Sequence, residues 1–125
     1  MDKRHRPKNL NLFTIRLPIN AIVSIMHRMS GMALFLMIPA LLWALNASVQ
    51  SAQTYVDLSL TLEHWLVKLL LVALSWAFFH HFYAGLRHLA MDVHWMTTLQ
   101  KARLSSRLVL VLVAISVLLF AVKIW

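Results

Sequence analysis

Three long apolar stretches decide what this chain can become. They run from about Ile19 to Ala47, from about His64 to Ala90 and from about Leu104 to Ile124. Each exceeds the ~20 residues that an α-helix needs to cross a bilayer. Water is absent at that depth, so a continuous apolar run must satisfy its own backbone N–H and C=O groups, as a helix does. Of 125 residues, 61% are hydrophobic, more apolar surface than a soluble domain of this size can bury. The predicted class is therefore all-α and integral to the membrane, with three transmembrane helices in one domain over residues 1–125. Pro18 suits a helix start. Pro39 is expected to kink the first helix or to be absorbed by neighbouring helices.

Charge predicts the orientation. Twelve Lys and Arg against four Asp and Glu give a net charge of +8. Lys3, Arg4, Arg6, Lys8 and Arg16 precede the first span, and Lys101, Arg103 and Arg107 separate the second from the third. The connection from Asn46 to Glu63 has no Lys or Arg and carries Asp57 and Glu63. The positive-inside rule then puts the N-terminus in the cytoplasm and the C-terminus in the periplasm. Trp43 and Trp65 fit an outer aromatic belt and Trp95 an inner one, while Lys68 and Lys123 are placed to snorkel. Because the bases flank apolar spans in short groups, the expected partner is the bilayer and not a nucleic acid. The basic opening is followed by an apolar region too long for a signal peptide and without a small-residue cleavage pattern, so it is expected to be retained. No transit-type segment is evident, which favours a bacterial inner membrane. The chain has no cysteine. That removes disulfides, cysteine-ligated iron–sulfur clusters and covalent haem attachment, leaving histidine, carboxylate or an external cofactor for any metal.

Polar residues gather at one depth. At ~1.5 Å per helical residue, Arg28 lies roughly 22 Å below Trp43 and His81 roughly 24 Å below Trp65. The polar parts of the first two spans are thus expected at the same height, on the cytoplasmic side. In the first span the group is Ser24-Ile25-Met26-His27-Arg28-Met29-Ser30-Gly31. Ser24 and Arg28 are four apart and share a face, which Gly31 continues. A hydroxyl and a guanidinium offer donors to a quinone carbonyl or a haem propionate. A lone Arg near a helix end would ordinarily snorkel to headgroups; the neighbouring His27 and the matching depth of His81 argue for a pocket.

In the second span the group is His81-x3-Gly85-x-Arg87-His88-x3-Asp92. Neutral imidazole is a strong ligand for haem iron. The missing side chain at Gly85 is expected to leave room for a porphyrin face. His88, about 10 Å from His81 by helical rise, is at the reach of a propionate. Asp92 is positioned to offset Arg87 or to orient His88. His80 lies about 100° round the helix from His81, so the two cannot face one iron. The spacing to Gly85 and His88 favours His81, and His80 is expected to contact a neighbouring helix. His5, His64 and His94 are expected near water.

Together with Arg6-Pro7, Asn11-Leu12 and Ile15-Arg16-x-Pro18, these two blocks make the chain closely resemble the cytochrome b membrane-anchor subunits of succinate dehydrogenase. The resemblance covers nearly the whole chain, and the pair of histidine blocks is specific. It implies a membrane anchor within a heteromeric helical bundle, a non-flavin subunit of a succinate:quinone oxidoreductase. Such an assembly passes electrons from a flavoprotein subunit through an iron–sulfur subunit to ubiquinone, in the respiratory chain and the tricarboxylic acid cycle. By motif match, Ser24, Arg28 and Ile25 would line the quinone site. His81 would be one axial ligand of haem b, shared with a histidine of a second small anchor subunit. His27, Arg28 and His88 would lie near the propionates. No complete active site, and so no catalytic residue, is expected in this chain alone. The competing reading is a cofactor-free structural anchor or assembly subunit. A transporter is disfavoured because the outer halves of the three spans offer almost no polar residues.

Overall fold

The computed structural model describes residues 16–125. Lys3, Arg4, Arg6 and Lys8, His5, and the motif residues Pro7, Asn11, Leu12 and Ile15 lie outside the described residues. Four helices follow one another: α1 (Ile19–Gln50), α2 (Ala52–Glu63), α3 (Trp65–Asp92) and α4 (Leu99–Ile124). The described residues contain no strand, as the all-α expectation requires. Helices α1, α3 and α4 are long and apolar enough to cross a membrane.

Two expectations about extent need correction. The stretch before α3 is not a plain connection; residues 52–63 form the short helix α2. Its start is a capping box in which the Ser51 hydroxyl accepts from the Thr54 N–H and the Thr54 hydroxyl accepts from the Ser51 N–H. Thr54, Leu58 and Thr61 then share the face that meets Trp43, Ala47 and Gln50 at the end of α1. The third span starts at Leu99, five residues before the expected Leu104. Hydropathy marks where lipid begins, whereas helix-forming Leu99-Gln100-Lys101-Ala102-Arg103 continues the same helix past that level. α1 behaves alike at its far end, extending to Gln50.

Pro18 is the N-cap of α1, and α1 runs unbroken through Pro39. The turn between α3 and α4 is tight, with His94 and Met96 both at left-handed φ (60° and 64°). Residue pairings fix the topology. Val23 meets His80 while Leu34 and Leu41 share a cavity wall with Leu71 and Leu74, so α1 and α3 are antiparallel. Arg87 meets Ser105 and Tyr83 meets Ser116, so α3 and α4 are antiparallel too. α3 packs along both other spans, and α1 also meets α4, where Val23 joins Val109 and Val113.

The buried core is small: Val23, Ala84, Val109 and Val113, bordered by Trp76, Phe79, Tyr83, Leu110 and Val117. Small residues let these helices approach closely where lipid provides no hydrophobic drive to associate. Large apolar side chains such as Met32, Phe35, Leu36 and Leu119 are exposed, as lipid-facing and partner-facing positions are. The serines that are buried turn back on their own helices. Ser30 donates to the His27 carbonyl (2.9 Å), Ser75 to Val72 (2.7 Å) and Ser106 to Ala102 (2.8 Å).

Candidate functional site

Where α1 begins and α3 ends, two neighbouring histidines of α3 reach different carbonyls of α1. The His81 Nδ1 lies 3.1 Å from the His27 carbonyl oxygen. A carbonyl can only accept, so Nδ1 carries the proton and donates it. That fixes the tautomer and leaves the Nε2 lone pair available. An imidazole whose Nδ1–H is held by a backbone carbonyl, with Nε2 free to ligate, is the usual arrangement around a protein-bound metal.

The fit of the His81 ring depends on Gly31. A Cβ at that position would lie 2.8 Å from His81 Cε1 and 3.1 Å from Nδ1, so any side chain there would push the ring from its place. With glycine there, the ring settles flat on His27, with centroids 4.2 Å apart and planes within 7°. His88 meets the His27 ring at 5.0 Å, tilted by 49°. The three imidazoles run in the order His81, His27, His88, all half-buried. The depth match expected between the two spans is thus realised in direct contact. Gly85 is different. A Cβ there would find His27 Nε2 at 3.6 Å, an ordinary contact, so the space over Gly85 is bordered by His27 and would admit alanine.

Ser24 is half-buried, whereas Ile25 and Arg28 are exposed on the outer surface of α1. Among the described residues no three His, Asp or Glu side chains converge into a self-contained metal site. The donor set suits a metal that arrives with most of its ligands, as an iron in a porphyrin does, and needs one imidazole from this chain.

His80 does not join the cluster. Its side chain is fully sealed (0% exposed). Nε2 donates to the Val23 carbonyl at 3.3 Å, and the ring stacks on Trp76 at 5.5 Å. Nδ1 is buried without a hydrogen-bond partner among the described residues, a deficit that typically costs about 1–3 kcal/mol. The expected contact of His80 with a neighbouring helix is therefore with the backbone of α1.

Arg87 is the residue whose role the sequence reading missed. It is buried (7% exposed) and turns to α4 rather than to Asp92. Its Nε donates to the Ser105 hydroxyl (3.1 Å) and its Nη2 to the Ala102 carbonyl (3.5 Å). The signal was available: His80, Ala84 and Arg87 follow one another at helical spacing on the most buried stripe of α3. His64 and His94, expected near water, are exposed, and His64 caps α3 by accepting the Leu66 N–H.

Residues 2–120 match the family described as succinate dehydrogenase/fumarate reductase transmembrane subunit. A succinate dehydrogenase cytochrome b556 subunit from Coxiella burnetii is 38% identical over 122 residues, covering 96% of this chain and 97% of that protein. One from Paracoccus denitrificans is 35% identical over 107 residues, covering 86% and 82%. One from Rickettsia felis is 36% identical over 88 residues, covering 70% and 68%.

Proposed function

The chain belongs to the succinate dehydrogenase/fumarate reductase transmembrane subunit family, and on that premise we propose that it is the cytochrome b anchor that helps hold haem b and ubiquinone. Its partners in this reading are a second small anchor subunit, an iron–sulfur subunit and a flavoprotein subunit. The assembly sits in a bacterial inner membrane with the N-terminus of this chain in the cytoplasm.

The observation that carries the reading is the His81–His27 bond. His81 Nδ1–H is committed to a backbone carbonyl at 3.1 Å, so the ring presents Nε2 in the form a metal requires. The relatives are named cytochrome b556 subunits, which supports haem b as that metal group. When bound, haem b would supply a one-electron carrier beside the quinone site. His27 fixes the plane of the His81 ring by stacking on it. His27, His88 and Arg28 would offer donors and positive charge to the two propionates.

The quinone would bind against α1. Ser24 and Arg28 present a hydroxyl and a guanidinium on one helical face, and Ile25 provides an apolar wall beside them. Donors placed where negative charge develops on a carbonyl oxygen lower the barrier to its reduction. Arg28 is always charged, so it stabilises that oxygen without giving up its own proton. The flavin and iron–sulfur steps belong to the partner subunits.

The test uses the intact membrane complex. His81→Leu is expected to remove the b-type absorption band; an unchanged band would refute the ligand assignment and favour a cofactor-free anchor. Ser24→Ala or Arg28→Leu is expected to cut quinone reduction at least about tenfold, as for loss of a charge-assisted donor. Succinate oxidation with an artificial dye should persist. Equal loss of both activities would show failed assembly in place of a quinone site.

A further inference from the structure

His80 is the largest side chain in the described structure that is wholly sealed from the surface. A Phe or Leu would pack such a position without leaving a polar atom stranded. Among the described residues one nitrogen is stranded, and the other makes the only polar contact of the ring: Nε2–H to the Val23 carbonyl. Hydrocarbon being the easier filling, this bond distinguishes histidine from the alternatives.

The bond has a pair. Val23 and His27 are one helical turn apart on α1, and their carbonyls are taken by the consecutive residues His80 and His81. α3 therefore grips α1 at two rungs. Between those rungs lie Ser24, Ile25 and Met26, and Arg28 follows directly. Apolar packing already holds α1 against its neighbours, but it discriminates poorly between small shifts and turns, which a single bond would not exclude. Two grips fix its height and its rotation against α3. A backbone carbonyl cannot be changed by substitution, so this register depends on the two donors.

We propose that His80 is a positioning residue for the quinone site. Its Nε2–H bond to the Val23 carbonyl sets where Ser24 and Arg28 stand relative to His81. This inference rests on the reading of Ser24 and Arg28 as quinone contacts. His80 itself touches neither the quinone nor the metal group. Trp76 holds the imidazole face on, which keeps Nε2 directed at α1.

The experiment uses the whole complex with a short-chain ubiquinone as acceptor. His80→Phe keeps the ring volume and deletes the donor. His80→Gln places an amide N–H near the position of Nε2. His80→Asn supplies an amide too short to reach. His80→Phe and His80→Asn are expected to raise the KM for quinone about fivefold, the loss typical of one neutral hydrogen bond. Their kcat with dye and their b-type absorption should stay unchanged. His80→Gln should return the KM to within about twofold of the original.

A wild-type KM in His80→Phe overturns the proposal. Should His80→Phe fail to assemble, equal KM values in His80→Gln and His80→Asn overturn it. Loss of the b-type band in His80→Gln, with the band kept in His81→Leu, would also overturn it by moving the ligand to His80. Ser24→Ala separates the two levels of argument. If it raises the KM and His80→Phe does not, the quinone site stands and His80 is mere filling. If neither raises it, the quinone reading itself has failed.

Discussion

The seam between α1 and α3 is built differently at its two ends. Near the start of α1, rings lie against backbone: His80 on Val23, His81 on His27 and Gly31, with Ala84 sealed between the helices. Toward the α2 end, Leu34, Met37, Leu41, Leu71, Leu74, Phe78 and Phe79, with Ser75 and with Phe120 of α4, line an open groove of about 330 Å³. In lipid, apolar side chains gain little by preferring each other to acyl chains, so the second end is held mainly by dispersion and tolerates a gap. Hydrogen bonds to carbonyls have one register only. The pocket proposed here would need its groups held in fixed relative positions, and the polar end is where hydrogen bonds between the helices supply that.

The sharpest way to break this contrast is to crowd the polar end with carbon. Gly31→Val should have the largest effect, because even a Cβ would lie 2.8 Å from His81 Cε1. The ring must leave its place on His27, and loss of most of the b-type absorption in a reduced-minus-oxidised spectrum is expected. Gly85→Ala adds a Cβ at 3.6 Å from His27 Nε2 and should keep the band. Similar losses in both would mean that the cluster is merely sensitive to bulk, and that the His81 seat is not special.

Arg87 tests whether polar bonding at this end also holds α4. Arg87→Ala removes the bonds to Ser105 and Ala102 and should lower stability by about 1.5–3 kcal/mol, the range for hydrogen bonds to a charged group. The thermal midpoint of the solubilised complex would report it. Arg87→Met, which refills the volume, should recover much of that loss, since buried charges are often replaceable by hydrocarbon. The optical spectrum at low temperature should be normal in both, because the guanidinium faces α4 and not the imidazoles.

These two ends were unequally legible in the sequence. The apolar spans gave their own boundaries to within a few residues, because transfer into lipid depends on composition. The shared height of Arg28 and His81 was counted as helical rise back from Trp43 and Trp65, and it is the neighbouring His27 that touches His81. The grip of His80 on Val23 did not follow, since a carbonyl carries no residue identity. Nor did the pairing of Arg87, where Asp92 was the nearer acid in sequence and Ser105 the nearer group in space. The helix α2 was hidden for another reason: hydropathy separates lipid from water, and a capped polar helix such as Ala52–Glu63 reads as neither. The proposed quinone contacts Ser24, Ile25 and Arg28 rest on the motif.

At the apolar end, Leu74→Ala sharpens the comparison through a modest effect. In a soluble core such a change costs about 2–5 kcal/mol, a good part of it transfer from water. Here the deleted atoms line an existing gap and exchange protein contacts for lipid or void. A loss of about 1 kcal/mol is expected, from dispersion alone. A fall in thermal midpoint as large as that of Arg87→Ala would show that this end is packed as tightly as the other.

Tyr83 provides the smallest and most discriminating case. Its hydroxyl lies 2.9 Å from the Ser116 hydroxyl, a side-chain bond between α3 and α4 within the apolar part of the bundle. Unlike the two histidine bonds, it has an easy substitute. When the helices separate, Ser116 can bond back to its own helix, as Ser106 does to Ala102. The reference state therefore recovers much of the bond, and the coupling in a double-mutant cycle of Tyr83→Phe with Ser116→Ala should be about 0.6 kcal/mol. His80 and His81 reach carbonyls on another helix, and an imidazole has few such alternatives within its own. A coupling above about 1.5 kcal/mol, near the top of the range measured for such bonds in membranes, would place the α3–α4 seam beside the α1–α3 grip as a determinant of register.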